Sequence, residues 1–302
     1  KLGQDNSKDS DGSYNTSVWA GGALIKDKLF AWGLLSYSNQ EQDIYNSVVS
    51  RQNSTDKIDG PTWLLKVDWN INDSNKVEFT AFSDEQDTTS AQYLNPLASL
   101  DRGALIGTSY LETGGENYIA RYTGYLTDSF TLSALYGHSE FSRSRHLVTA
   151  NGTRVEYGGD LHVPATGCPV ITDVRPGYRT AITGVYASSC NITGTSIDRI
   201  DSGDTRDAWR IDGDWQIGDH QIGFGFDADD YESVAGQSTE GGRIWRYSTN
   251  NGPDGRANTG DEFDIVREQI VTQGSTVKVK QHAIYVEDNW NITDNFLAYI
   301  GA

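Results

Sequence analysis

The 302-residue sequence carries 24 basic and 42 acidic side chains, which gives a formal net charge of −18, and 36% of its residues are hydrophobic. Binding to nucleic-acid phosphates requires clustered lysine and arginine, so this acidity argues against a nucleic-acid partner. No run of 18 successive apolar residues is present, which excludes a transmembrane helix. A membrane β-barrel remains possible, because its strands need only about ten residues with every second one apolar.

The sequence contains no methionine, although glycine is abundant at 32 residues. Its first residues lack the basic and apolar regions of a signal peptide. We therefore expect a processed chain or an internal piece of a longer protein.

Alternating hydrophobicity predicts β-strands. Between Thr62 and Ile71 the odd positions are apolar and the even positions mostly polar, and the alternation recurs from Trp209 to Ile217. A period of two residues indicates strands, not helices. Asp212 and Asp214 alternate on the polar face of the second segment. We expect both to face a hydrated lumen, either as barrel wall or as a ligand contact.

A weak repeat marks short turns along the chain. It runs from Trp-Asn-Ile-Asn-Asp to looser copies and ends at five aspartates, namely Asp27, Asp73, Asp128, Asp219 and Asp294. Five hairpin turns predict about ten strands. The turns lie further apart than two strands of about ten residues require. The excess predicts long polar loops at about 44–60, 88–115, 147–204 and 232–277.

Short turns at one end and long loops at the other are typical of outer-membrane barrels. A soluble β-sandwich also shows alternating strands, but its loops are usually short at both ends. Aromatic residues near the turn end, namely Trp69, Tyr125, Trp215 and Trp290, predict an interfacial girdle. The pattern favours an all-β transmembrane antiparallel β-barrel segment over residues 1–302, with about ten strands of a larger barrel.

Two segments resemble a known family. Residues 285–302, YVEDNWNITDNFLAYIGA, look like the hairpin of TonB-dependent outer-membrane receptors, in which an aromatic residue, an acidic pair and Trp precede a Thr-Asp turn. Residues 21–33, GGALIKDKLFAWG, are similar to the early-barrel hairpin of the Oar-like branch. The resemblance implies a barrel of about 22 strands with an N-terminal plug domain. It also implies import of a scarce ligand across the bacterial outer membrane, energised by the TonB complex.

The 302 residues contain neither a plug domain nor a TonB box, so we expect an internal barrel segment. The expected function is that of a receptor or transporter, not an enzyme, since no Gly-x-Ser-x-Gly elbow, phosphate loop or His-x-x-x-His pair is present. The alternatives are a structural, adhesive or protein-export barrel without energised import, and a soluble carbohydrate-binding β-sandwich.

The expected partners follow from the same assignment. They are outer-membrane lipid and lipopolysaccharide, the TonB complex through the absent plug, and a small ligand or peptide. Acidic residues between Asp229 and Asp264 lead to the further hypothesis that divalent cations bridge the chain to lipopolysaccharide.

Ligand selectivity is expected from aromatic residues of the long loops. The candidates are Tyr93, Tyr110, Tyr157, Tyr178, Trp245 and Tyr247.

Cys168 and Cys190 both lie in the longest predicted loop. An oxidising exterior favours a disulfide between them. Two free thiols are the alternative, and a metal site is disfavoured because only His162 is near in sequence and the spacing matches no zinc motif.

A glycine-rich segment over residues 250–262 could wrap Ca²⁺ with the oxygen ligands Asp254, Asn258 and Asp261. It lacks the ligand order of an EF-hand, and a turn-rich surface loop is the competing interpretation. No other cofactor is expected.

Overall fold

The computed structural model describes residues 7–45, 53–93, 101–158, 169–173, 175, 185–186 and 196–302. All regular structure in these residues is strand. The first eight strands are β1 (Ser10–Ile25), β2 (Leu29–Tyr45), β3 (Asn53–Asn72), β4 (Asn75–Ser83), β5 (Gln86–Tyr93), β6 (Leu105–Gly114), β7 (Glu116–Thr127) and β8 (Phe130–Thr149). The others are β9 (Arg154–Val155), β10 (Val170–Asp173), β11 (Val185–Tyr186), β12 (Ser196–Asp198), β13 (Gly203–Ile217), β14 (His220–Asn250), β15 (Phe263–Thr293) and β16 (Phe296–Gly301). Across the described ranges, no helix is long and apolar enough to cross a membrane.

The long strands form one antiparallel meander in the order β1-β2-β3-β4-β7-β8-β13-β14-β15-β16. Above this path, β5 pairs with β3 and β6, and β6 pairs with β8. Strands β4 and β5 therefore continue one another, as do β6 and β7. The second break falls at Gly115, where a Cβ atom would lie 1.8 Å from the Glu140 carbonyl oxygen, so only glycine fits. The all-β antiparallel class predicted from the sequence is confirmed.

All five predicted turns are present. Each aspartate lies in a connection of two or three residues between consecutive strands. In three turns the polar residue before the aspartate accepts a hydrogen bond from the backbone N–H of the residue after it, at Asn72, Thr127 and Thr293. Such side-chain caps explain why the repeat ends in a polar residue followed by Asp.

The strands extend into segments expected to be loops. Strands β5 and β6 occupy 86–93 and 105–114, and β14 and β15 leave only 251–262 between them. Much of the expected segments 88–115 and 232–277 is therefore extended strand. The polar composition of these segments predicted loops. However, a hairpin that projects into water can have polar residues on both faces, because its strands are held together by backbone hydrogen bonds.

The register defines two faces. The outer face contains Trp63, Leu65, Val67 and Trp69, and one of its rows crosses the sheet through Val67, Phe79, Ala120, Tyr136 and Trp209. The inner face contains the alternate residues, and one of its rows runs through Asp68, Glu78, Arg121, Leu135, Arg210 and Asp227. Outer side chains such as Trp209 (55% exposed) and Ile284 (82%) are largely exposed on the outer face.

Three of the four expected girdle aromatics, Trp69, Trp215 and Trp290, lie on the outer face beside tight turns. Tyr125 does not, because it is paired with Thr131 on the inner face. The three tryptophans stand four residues before their turn aspartate and Tyr125 only three. A shift of one residue along a strand exchanges the faces.

The sheet has little buried interior of its own. The fully buried apolar cluster lies at the loop end, where Leu147, Val155 and Ile197 are each 0% exposed and Ile106 and Tyr157 pack against them. This cluster fixes the short strands β9 and β12 over the upper part of the sheet.

Candidate functional site

A series of arginine–aspartate pairs ascends the inner face from the turn end to the loop end. The pairs are Arg210 with Asp212, Arg206 with Asp229, and Arg143 with Asp204. We name these three pairs the Arg–Asp ladder. In the first two, Nε–oxygen distances are 2.9 and 2.8 Å, and in the third the guanidinium donates to both carboxylate oxygens.

The lowest pair belongs to a larger network. The Tyr285 hydroxyl donates to Asp212 over 2.6 Å, and the Arg210 guanidinium lies 5.8 Å from the Tyr285 ring centroid. Gly225 makes room for this arrangement, since a Cβ atom there would lie 2.3 Å from Tyr285 Cε1 and 2.8 Å from Asp212 Oδ1. Asp212 and Asp214 share the inner face, as predicted.

A first cavity of about 340 Å³ lies at the loop end between β8, β9 and β12. His146 and Tyr157 line it, and the Tyr110 ring stacks on the His146 ring with centroids 5.0 Å apart. The Tyr157 hydroxyl donates to the Gln273 carbonyl oxygen. Burial, assisted by the nearby Arg154 cation, lowers the pKa of His146 below its usual value. The imidazole therefore favours its neutral form.

A second cavity of about 470 Å³ lies directly above the Arg–Asp ladder. Arg143, the uppermost ladder cation, lines it together with Arg145, Asp198 and Ser202. Asp198 also lines the first cavity, whereas His146 and Arg145 alternate along β8 and face opposite sides of that strand. Burial raises the pKa of Asp198, against the opposing effects of Gln237 and the neighbouring arginines.

The predicted loop aromatics fall into separate groups. Tyr110 and Tyr157 belong to the first cavity. The Tyr93 ring lies 4.8 Å from the Arg102 guanidinium, and the Tyr247 ring lies 5.2 Å from that of Arg175. Trp245 shares a face of β14 with Tyr247. Tyr178, like Cys168, Cys190 and His162, lies outside the described residues, so the disulfide stays a prediction.

The calcium hypothesis gains no support from the loop between β14 and β15. Asp261 accepts a hydrogen bond from the Thr259 hydroxyl and Asp254 from the backbone N–H of Arg256, and Glu262 accepts from the backbone N–H groups of Thr259 and Gly260. Asn258 adopts a positive φ of 64°. In the part of the chain that the structure describes, no three His, Cys, Asp or Glu side chains form a metal-binding group. The carboxylates stabilise the turns of the loop instead.

The sequence did not predict His146, Arg145, Asp198 and Ser202 as site residues. They come from separate strands and meet only in the folded sheet. The one local signal was the alternation of Arg143 and Arg145, which places two cations on the same face of a strand.

A family model described as an outer membrane beta barrel domain matches residues 24–302. The chain belongs to this family. It is therefore a β-barrel chain of the bacterial outer membrane. The soluble β-sandwich alternative is accordingly wrong.

Solved outer-membrane transporters are similar at low identity. The outer membrane transporter YddB from Escherichia coli is 14% identical with a TM-score of 0.49, and 97% of this chain aligns with 33% of that chain. The ferric citrate transporter FecA in the unliganded form is 12% identical with a TM-score of 0.42, over 97% and 36% of the chains. The ferric-catecholate import receptor Fiu from E. coli K12 in its closed form is 12% identical with a TM-score of 0.45, over 97% and 43%. This chain thus spans less than half the length of each, and no match is found among curated proteins.

Proposed function

We propose that this chain forms part of the wall of a TonB-dependent receptor that imports a scarce ligand across the bacterial outer membrane. The observation that carries the proposal is the Arg–Asp ladder, which leads down the inner face from the second cavity. A charged inner stripe that leads down from a loop-end cavity favours passage of a polar solute over a purely structural role. An importer needs both a capture site and a polar passage.

The pairing of charges within the Arg–Asp ladder is compatible with passage of a ligand along the inner face. Each guanidinium is matched by a carboxylate, so the wall offers hydrogen bonds without a strong net charge that would trap a ligand. Polar wall residues facing a lumen are the usual means of tuning barrel selectivity. The ligand in this proposal is a small molecule or a peptide, captured at the second cavity above the ladder.

The orientation and partners complete the proposal. Tight turns are typical of the periplasmic side and longer hairpins of the extracellular side. The cavities then face the outside, and the outer face meets lipid and lipopolysaccharide. Coupling to the TonB complex would act through a plug domain supplied elsewhere in the protein.

The test is ligand depletion by living cells. A strain lacking the gene is complemented with the intact protein or with the double variant Arg210→Gln, Asp212→Asn, and the growth medium is followed by untargeted mass spectrometry. We expect one class of solute to be depleted only by the wild-type strain. Depletion should stop when a protonophore dissipates the inner-membrane proton gradient, because import is energised.

The matched control is Lys278→Gln, which changes a charged pair on the outer face and should leave depletion unchanged. If no solute depends on the protein, or if depletion continues without the proton gradient, the importer proposal is wrong. Loss of cell adhesion or of a secreted protein in the deletion strain would then favour the adhesive or export alternative.

A further inference from the structure

Two inner-face arginines, Arg121 and Arg145, form no ion pair among the described residues, and of these two Arg145 is the one at the loop end. Arg145 lies two residues beyond Arg143, on the same face of β8, and lines the second cavity. Arg143, Arg206 and Arg210 each form an ion pair with an aspartate. Among the described residues, the Arg145 guanidinium has neither a salt bridge nor a side-chain hydrogen bond.

The nearest acid does not take the role of partner. Asp198 accepts hydrogen bonds from the Gln237 side chain and from the backbone N–H of Arg145, not from its guanidinium. Burial also raises the pKa of Asp198, which weakens it as a counter-ion. The five N–H donors of Arg145 are therefore left to the cavity.

The surroundings provide further polar groups. Ser202 lines the same cavity and is 4% exposed, and its hydroxyl has no hydrogen-bond partner. Gln237, Gln273 and Ser275 line the β14–β15 side. The volume of about 470 Å³ lies within the range of small-molecule sites, which is roughly 300 to 1,000 Å³.

We propose that the second cavity binds the carboxylate, phosphate or sulfate group of a small soluble ligand, with Arg145 as the principal contact. A guanidinium presents paired donors that match such oxyanions. Lipopolysaccharide phosphate has the same chemistry, but it surrounds the outer face whereas Arg145 shares the inner face with Arg143. The biological purpose of this site rests on the proposed receptor function. Oxyanion binding itself can be measured without transport.

The first test is arginine labelling of the intact protein in detergent. Phenylglyoxal modification is located by peptide mass spectrometry at constant ionic strength in chloride, inorganic phosphate, sulfate or citrate. We expect Arg145 to react faster than the paired Arg143, and each oxyanion to slow its labelling at least threefold relative to chloride. Equal reactivity of the two arginines, or labelling that oxyanions do not slow, would overturn the proposal. Protection by purified lipopolysaccharide alone would assign the site to lipid and also overturn it.

Variants provide the second test. The oxyanion-induced rise in melting temperature should be lost in Arg145→Gln and partly kept in Arg145→Lys, which retains the positive charge. Arg154→Gln is the matched control, because Arg154 is paired with Glu156 and lines only the first cavity. Heat-modifiable migration in gels verifies that each barrel is folded. A full rise in Arg145→Gln would contradict the assignment.

The two proposals fail separately. If oxyanions do not bind but solute depletion still requires the protein and the proton gradient, the ligand class is wrong and the import function stands. If oxyanions bind through Arg145 but no solute is depleted, the site stands and the import function is wrong.

Discussion

The Arg102 guanidinium lies over the Tyr45 ring, 4.3 Å from its centroid, although the two residues belong to different loop-end segments. It also donates to Asp43 over 2.6 Å and to the Thr55 hydroxyl over 2.7 Å. Tyr93 contributes a second ring. One half-buried side chain therefore fastens the segment before β6 to β2, β3 and β5.

We predict that Arg102→Ala releases this segment while the meander stays folded. Loss of charge-assisted hydrogen bonds in a partly buried setting costs about 2 kcal/mol, which corresponds to roughly 30-fold faster local opening. Hydrogen exchange of β5 and the upper part of β2, followed by mass spectrometry, measures this change. Lys57→Ala is the control, since its ion pair with Glu41 is exposed and contributes little. Unchanged exchange in Arg102→Ala would refute the fastening role.

A second prediction concerns Gly225, which lies beneath Tyr285 and Asp212. Gly225→Val should displace both side chains and lower the free energy of unfolding by about 1 to 3 kcal/mol, as overpacking does. Gly33→Ala is the control, because the added Cβ atom meets nothing closer than 3.8 Å. Urea unfolding followed by tryptophan fluorescence measures both variants. If the urea midpoint of Gly225→Val equalled that of the wild-type protein, the packing of Tyr285 would not depend on Gly225.

Local sequence signals were sufficient for the turns and faces. A Thr-Asp or Asn-Asp turn is capped by residues within the turn, and alternation along one strand shows which face is apolar. Tyr125 shows the limit of this reasoning, because one residue of offset from the turn reversed its face.

The cavities depend on a different kind of information. Arg145, Asp198 and Gln237 come from β8, β12 and β14, and their approach is decided by strand pairing and by the buried Leu147 cluster. No local sequence pattern predicts which of these distant strands pair with one another. Ligand binding by the loop aromatics stays a prediction, and the sequence could not show that Tyr93 and Tyr247 pack on different arginines.

A third prediction concerns pH. Because burial lowers the pKa of His146, the unfolded chain takes up a proton before the folded chain as pH falls. The contribution of His146 to stability is therefore complete above the unfolded pKa of about 6.5 and decreases below it. Hydrogen-exchange protection factors of the backbone amides in β6 and the upper part of β8 should decrease as the pH is lowered from 7.5 to 5.5. His146→Phe should flatten this dependence and keep the stacking on Tyr110, whereas His282→Gln should not alter it.

The predicted disulfide has a direct test. The intact protein purified without reductant should resist alkylation at Cys168 and Cys190, and a crosslinked peptide should join them. On the chain-entropy model, closing this loop is worth roughly 3 kcal/mol. Reduction should therefore accelerate proteolysis of the segment, as should the variant with both cysteines replaced by serine. Alkylation of both cysteines without reductant would show free thiols.

The last prediction concerns lipopolysaccharide. On the outer face, Lys280 pairs with Asp230 over 2.9 Å and Lys278 with Glu232 over 2.8 Å. Because both acids are already paired with lysines, they are poor ligands for a bridging divalent cation. The exposed lysines can instead contact lipid phosphates directly. We expect the double variant Lys278→Gln, Lys280→Gln to retain less lipopolysaccharide on purification. Chelation of divalent cations should have a smaller effect. Lys66→Gln, on the inner face, is the control. If chelation removes the bound lipopolysaccharide and the double variant still retains it, bridging by divalent cations is supported instead.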